Sequence, residues 1–229
     1  TPRHLQSSAP FFSNWVYQKL SEILTTEQLE RGGIKVITSL NKQWQLAAKQ
    51  VIKNYTAKEI EGAIISIEPS TGLVRALVGG KDFKRNQFNR ATQAFRSPGS
   101  TFKLIIYASA LSNGIKSEDR FNDLPKCWDT YCPKNFNNKY LGEISLTKAF
   151  TSSSNIVAVE LLDRLGFKNV ISTANSLGIG KTQTIEQYLA LAVGAYGETL
   201  MNMTSAYAAV ANRGVYNIPN PIEKIIGPK

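Results

Sequence analysis

Ser97-Pro98-Gly99-Ser100-Thr101-Phe102-Lys103-Leu104-Ile105-Ile106-Tyr107-Ala108-Ser109-Ala110-Leu111-Ser112-Asn113-Gly114 is the stretch on which the reading of this 229-residue chain turns. A Ser-Pro-Gly turn signal runs directly into a helix-forming apolar string, and Asn-Gly ends it. Ser100 therefore falls at a helix N-terminus, and Lys103, three residues on, projects from the same face about one turn away. A hydroxyl and an amine so placed can share a proton. Serine is a weak nucleophile near neutral pH, and a lysine activates it when apolar surroundings or a nearby cation depress the amine's pKa. Phe102, Leu104 and Ile105 supply such surroundings. The unpaired backbone N–H groups of a helix start, that of Ser100 included, add one donor for an oxyanion. Taken alone, Ser-x-x-Lys is short, and the same residues serve equally as a helix cap followed by a solvated lysine.

Upstream of this segment the pattern changes twice. Phe11, Phe12, Trp15, Val16, Leu20, Ile23 and Leu24 recur at helical spacing from Pro10 to Leu24, and a second helix is expected from Lys42 to Tyr55. Between them, Gly32-Gly33 break the pattern and Ile34, Val36 and Ile37 suggest a strand. From Gly62, Ala-Ile-Ile-Ser-Ile and Leu-Val-Arg-Ala-Leu-Val flank a Ser70-Thr71-Gly72 turn and read as a hairpin. Residues 1–61 accordingly read as a linker or small subdomain, with a larger domain opening at 62. Downstream, short helices are expected at 146–150, 155–165 and 168–177, and an amphipathic one from Thr199 to Asn212 with Gly214 as its stop.

Composition narrows the chemistry. With 42% hydrophobic and 19% charged residues the chain can bury a core and is not of the disordered class. No apolar run approaches the roughly 18 to 20 residues that cross a bilayer, and Thr1–Ser8 lack the apolar stretch of a signal peptide. The formal charge of +10 is scattered along the chain without a nucleic-acid motif, so it reads as a solvated basic surface. Cys127 and Cys132, with the lone His4 far away, are too few ligands for a zinc site. They form either a local disulfide or two reduced thiols. A single histidine in a terminal segment also leaves Ser-His-Asp and Cys-His mechanisms without a base.

Asn89-Arg90-Ala91, Arg96–Lys103, Tyr107-Ala108 and Ala110–Gly114 together resemble the active-site segment of class A penicillin-binding proteins. Ser153-Ser154-Asn155 is similar to the family's Ser-x-Asn element, in its place after Pro133-x-Asn135 and Gly142–Leu146; outside that setting it would read as a serine-rich cap. Ala192–Glu198 and Thr204–Gly214 add family texture, and Gly32–Asn41 with Gln45 and Ala48 looks like the linker of such proteins. The resemblance implies an α+β fold of the penicillin-binding transpeptidase and serine β-lactamase type, with a partial antiparallel sheet packed on helices, and 62–229 as the N-terminal part of the transpeptidase domain. It implies that Ser100 is the nucleophile, Lys103 its activating partner, Ser153 a proton relay to the leaving amine and Asn155 a holder of the substrate's amide backbone. The substrates would be peptidoglycan stem peptides ending in D-Ala-D-Ala, and β-lactam antibiotics would acylate the same serine. No metal, organic cofactor or nucleic acid is implied.

The parent protein would be expected to carry a membrane anchor and a glycosyltransferase domain, and to act on the outer face of a bacterial inner membrane. The family's third motif, Lys-Thr/Ser-Gly on an inner strand, does not occur. Lys181-Thr182-Gln183 lacks the glycine and reads as a helix-terminal cation with a cap. The chain alone is therefore expected to have an incomplete sheet and weak or no activity. A serine β-lactamase or DD-carboxypeptidase-type hydrolase, and a non-catalytic β-lactam-binding sensor module, are the competing readings.

Overall fold

The structure, a computed structural model, describes residues 7–57, 59–181 and 183–227. In chain order the elements are α1 (Pro10–Ile23), α2 (Thr26–Arg31), β1 (Lys35–Thr38), α3 (Lys42–Tyr55), β2 (Ile64–Ile67), β3 (Val74–Val78), α4 (Arg90–Gln93), α5 (Lys103–Ser112), β4 (Arg120–Asp123), β5 (Gly142–Ser145), α6 (Leu146–Thr151), α7 (Asn155–Ser176), α8 (Leu200–Ala211) and β6 (Ile222–Ile226). They form two compact units, one of residues up to Ala94 together with those from Thr199 on, the other from Phe95 to Glu198.

In the first unit α1 begins with Pro10, whose missing N–H costs nothing at a helix start, and buries Phe11, Phe12, Trp15, Val16 and Leu20. These side chains meet Val74 and Leu77 of β3, Met201 of α8 and Ile222 of β6 in one apolar cluster. The β2–β3 hairpin is antiparallel with a bulge between Ser66 and Ile67. Asn41 caps α3 by accepting from the backbone N–H of Gln43 and Trp44. On that helix the buried Gln45 donates to the Leu77 carbonyl at 2.9 Å and accepts from the Leu77 N–H at 2.8 Å, as a neighbouring strand would. The described residues of the 1–61 segment, read from the sequence as a linker or small subdomain, share the first unit with the hairpin: α1 and α3 pack on β3, and β1 pairs antiparallel with β6.

Two elements here carry no periodic signal. The single-turn α2 is made by a capping box, with Thr25 and Gln28 each bonding the other's backbone N–H. The strand β6 is recruited by pairing with β1, 184 or more positions away in the chain, Thr38 facing Ile222.

In the second unit α5 and α7 form the core, with Phe102, Ile105, Ile106, Ala110, Ile156, Val157, Leu161 and Leu162 almost fully buried. Gly166 adopts φ 75° and ψ 154° and breaks α7, giving the two helical stretches that the sequence predicts. The pair β4–β5 runs antiparallel with Phe121 opposite Ile144 and Asp123 opposite Gly142. Neither strand was expected, because Arg-Phe-Asn-Asp and Gly-Glu-Ile-Ser are poor in β-branched residues. Alternation along β4 turns Phe121 and Asp123 inward. Cys127 and Cys132 are joined as a disulfide in the connection that follows, which decides between the two readings left open above. The antiparallel sheet expected around the hairpin is present as three two-stranded pieces, two in the first unit and one in the second.

Candidate active site

The nucleophile candidate sits on a backbone-to-backbone contact within the second unit. Residues Gly99–Phe102 form a 3-10 turn that leads into α5, with Pro98 at its N-cap position and no side-chain cap. Three residues per turn eclipse positions i and i+3, so Ser100 and Lys103 are stacked more directly than on an α-helix. Gly99 has φ 55°, and Gly194 lies so close that an added Cβ would be 2.1 Å from the Gly99 carbonyl oxygen. Ser97 Oγ donates to the Gly194 carbonyl at 2.5 Å. Arg96 and Glu198 exchange backbone hydrogen bonds of 3.0 Å in both directions, and the buried Glu198 carboxylate accepts from the Gly180 N–H at 3.1 Å. The Ala192–Glu198 string, noted in the sequence only as family texture, seats the turn that carries Ser100.

Ser100 is exposed, whereas Lys103 is 1% exposed. The Lys103 ammonium donates to the Ser153 carbonyl at 2.6 Å, to Ser153 Oγ at 2.9 Å and to Asn155 Oδ1 at 2.5 Å. Three donors meet three acceptors, which fills the capacity of a lysine. Burial pushes its pKa down to about 8, against the opposing attraction of Asp123. The Lys103 backbone N–H donates to the Ser100 carbonyl, but among the described residues no hydrogen bond joins the Lys103 ammonium to the Ser100 hydroxyl. The structure therefore brings Lys103, Ser153 and Asn155 into one cluster and leaves Ser100, three residues before Lys103, exposed.

The Ser153 geometry follows from how α6 ends. The Ser153 N–H bonds the Phe150 carbonyl at 3.0 Å and the Ser154 N–H bonds the Ala149 carbonyl at 2.9 Å, the crossed pair of a Schellman motif. Its left-handed position normally belongs to glycine. The same crossed pair recurs at Gly114, Gly178 and Gly194 in this unit, but after α6 the position is filled by Ser153 at φ 55°. That conformation costs roughly 1 to 2 kcal/mol for a residue with a Cβ, and here both the carbonyl and the hydroxyl of Ser153 reach Lys103. Ser154 then caps α7 through the Val157 N–H at 3.1 Å and donates to Asp123 Oδ1 at 2.6 Å. Asn155 is the first helical residue, with its side-chain N–H on the Lys134 carbonyl at 2.7 Å.

With this geometry in view, the comparisons are decisive. The family model described as "Penicillin binding protein transpeptidase domain" matches residues 62–227. The chain belongs to the penicillin-binding protein transpeptidase family. It is 33% identical over 208 residues to penicillin-binding protein 1A of Rickettsia prowazekii, covering 86% of this chain and 26% of that protein. Penicillin-binding protein 2D of Bacillus subtilis is 34% identical over 228 residues, covering 95% of this chain and 33% of that protein. Among solved structures, PonA1 of Mycobacterium tuberculosis in complex with penicillin V is similar at a TM-score of 0.83 and 25% identity, over 94% of this chain and 62% of that one. The chain thus spans about a quarter to a third of the curated relatives' length and carries the α+β penicillin-binding transpeptidase fold.

Within this transpeptidase domain the sequence reading missed Asp123 and gave Asn135 only a place in a motif. A Pro-x-Asn string was the one available signal for the latter. His4 and Thr182 lie outside the described residues; Lys181 and Gln183 fall in the connection after α7, not at the helix end the sequence suggests, and the Gln183 carbonyl accepts from Tyr196 OH at 3.0 Å.

Proposed function

We propose that this penicillin-binding transpeptidase domain works through a Ser100 acyl-enzyme in the cross-linking of peptidoglycan stem peptides. The observation that carries the reading is the cluster of Lys103, Ser153 and Asn155 beside an exposed Ser100, on the positions of the family's two motifs. In the first step Ser100 Oγ bonds to the carbonyl carbon before the terminal D-alanine, and its proton passes to neutral Lys103. The peptide C–N bond breaks, D-alanine leaves, and its nitrogen takes a proton relayed through Ser153. An amine of a neighbouring stem peptide then attacks the ester, forms the new amide and returns the proton to Ser100. Asn155 holds the substrate's amide backbone, and the Ser100 N–H serves as one oxyanion donor.

A β-lactam presents a strained amide to the same attack and stays as the acyl-enzyme. The Cys127–Cys132 bond suits an oxidising compartment, in keeping with action on the outer face of a bacterial inner membrane by a parent with an anchor and a glycosyltransferase domain. Residues 1–61 would serve as the linker to that upstream part, since the family model begins at 62. The sequence contains no Lys-Thr-Gly or Lys-Ser-Gly, so this chain alone is expected to acylate weakly.

Intact mass spectrometry after exposure to a labelled penicillin tests the reading, on this chain and on the full-length protein, each beside Ser100→Ala. A persistent adduct that disappears in Ser100→Ala supports it. Absence of any adduct on the folded full-length protein rejects it, and fast, repeated turnover of the label would favour a hydrolase instead.

A further inference from the structure

The inward face of β4 places a carboxylate, 1% exposed, against the turn that carries Ser153 and Asn155. A buried carboxylate is costly unless its oxygens are filled. Asp123 Oδ1 accepts from Ser154 Oγ at 2.6 Å and from Asn135 Nδ2 at 2.7 Å, and Oδ2 accepts from the Leu141 N–H at 2.9 Å. Asn135 in turn accepts, through its own Oδ1, from the N–H of Asn155 at 2.8 Å and of Ile156 at 3.4 Å. Two arms therefore leave one carboxylate and arrive at the start of α7, one through Ser154 and one through Asn135.

We infer that Asp123 is the positioning residue of this site, fixing through Ser154 and Asn135 the turn that presents Ser153 and Asn155 to Lys103. The inference rests on the acyl-enzyme reading of Ser100. Among the described residues Asp123 makes no hydrogen bond to Ser100, Lys103, Ser153 or Asn155, so it acts through others. It also acts at a distance by charge, because its attraction favours the Lys103 ammonium that burial disfavours. The other groups that reach Lys103, Ser153 and Asn155, do not titrate. Tyr107, one turn further along α5, is kept neutral by burial and by Asp123. Burial thus lowers the pH at which Lys103 loses its proton, and Asp123 is the charge that opposes that fall.

The test is the rate of acylation by a labelled penicillin, as a function of pH, in the full-length protein and in its Asp123→Asn and Asn135→Ala variants. Misplacing a reacting group by about 1 Å costs on the order of 10²-fold, and both variants are expected to slow by about that factor. In Asp123→Asn the limb on which rate rises with pH should also move to lower pH, because the ammonium has lost its counter-charge; in Asn135→Ala it should stay. A folded Asp123→Asn protein that acylates at the wild-type rate overturns the inference. So does a slower Asp123→Asn with an unmoved limb, which would leave the residue a merely structural part. Should Asp123→Asn fail to fold, wild-type acylation by Asn135→Ala overturns it. A wild-type protein with no Ser100-dependent adduct removes the acyl-enzyme reading and this inference together, whereas an adduct in wild type with unaffected variants removes the inference alone.

Discussion

The two compact units bury polar side chains of different kinds. Among the described residues, the first buries Ser39, Gln45, Asn89, Thr199 and Ser205, all neutral, while the second, besides the neutral Ser109 and Ser154, buries four ionisable groups, Lys103, Asp123, Glu160 and Glu198. In the first unit the neutral groups serve the backbone: Ser39 Oγ donates to the Val74 carbonyl, Gln45 pairs with Leu77, and Asn89 caps α4. Such bonds fix register at small cost. A buried charge is far more expensive and is kept where geometry or chemistry needs it. Three of the four support the site in some way: Lys103 lies in it, Asp123 stands behind it, and Glu198 anchors the turn that carries Ser100. Glu160 pairs with Arg164 and Lys126 instead.

Removing the central charge should have the largest effect. Lys103→Met is expected to slow acylation by about 10³-fold, within the range of general-base contributions, and stopped-flow labelling measures it. An equally steep effect in a neutral buried residue of the first unit, such as Gln45→Met, would erase the contrast between the units.

A matched pair of glycines sharpens it further. In Gly194→Ala the new Cβ would fall on the Gly99 backbone, and acylation should drop by about 10²-fold as Ser100 is displaced. In Gly72→Ala the Cβ would fall 2.6 Å from the Ile218 carbonyl oxygen at φ 76°. That change should cost stability by about 1 to 3 kcal/mol but leave the rate per folded molecule as it was. Thermal unfolding and labelling, run on both, separate the two kinds of damage.

Titration gives a smaller, graded effect. If neutral Lys103 is the acylation base, the rate should fall about tenfold per pH unit below its pKa of about 8. The stability sign is opposite to that of a salt-bridged lysine. Because the folded pKa is depressed, between about 8 and the ordinary value of 10.5 the unfolded chain holds a proton that the folded chain has shed. Stability from this group therefore rises with pH across that window. A flat rate profile from pH 6 to 9 would separate Lys103 from the base role.

The smallest expected change is a gain. Ser153→Gly relieves a left-handed serine and should raise stability by about 1 kcal/mol, while acylation slows through loss of the hydroxyl on Lys103. Equal stability in calorimetry would show that the turn carries no strain.

What could be read from the sequence was local. α1, α3 and α8 declare themselves by apolar spacing, and Ser100/Lys103 and Ser153/Asn155 each occupy one short string. The rest depends on partners far along the chain. Asn135 reaches Asp123 across 12 residues and Ser154 reaches it across 31, and neither neighbourhood announces a buried carboxylate. The strands β4 and β5 exist because they pair with each other, and β6 because β1 is there to receive it. α2 was missed for a different reason: it is a single turn held by its cap, too short for periodicity.

Ser153 also bears on what selection must be doing at this turn. Three equivalent helix ends in the same unit hold glycine, though the end of α8 in the other unit holds Arg213 at φ 57°; glycine is the residue that takes this conformation without a Cβ penalty. A descendant of this chain released from its chemistry should therefore lose Ser153 to glycine early. Ser154, whose hydroxyl caps a helix, should persist, and the turn would keep its shape after its purpose had gone.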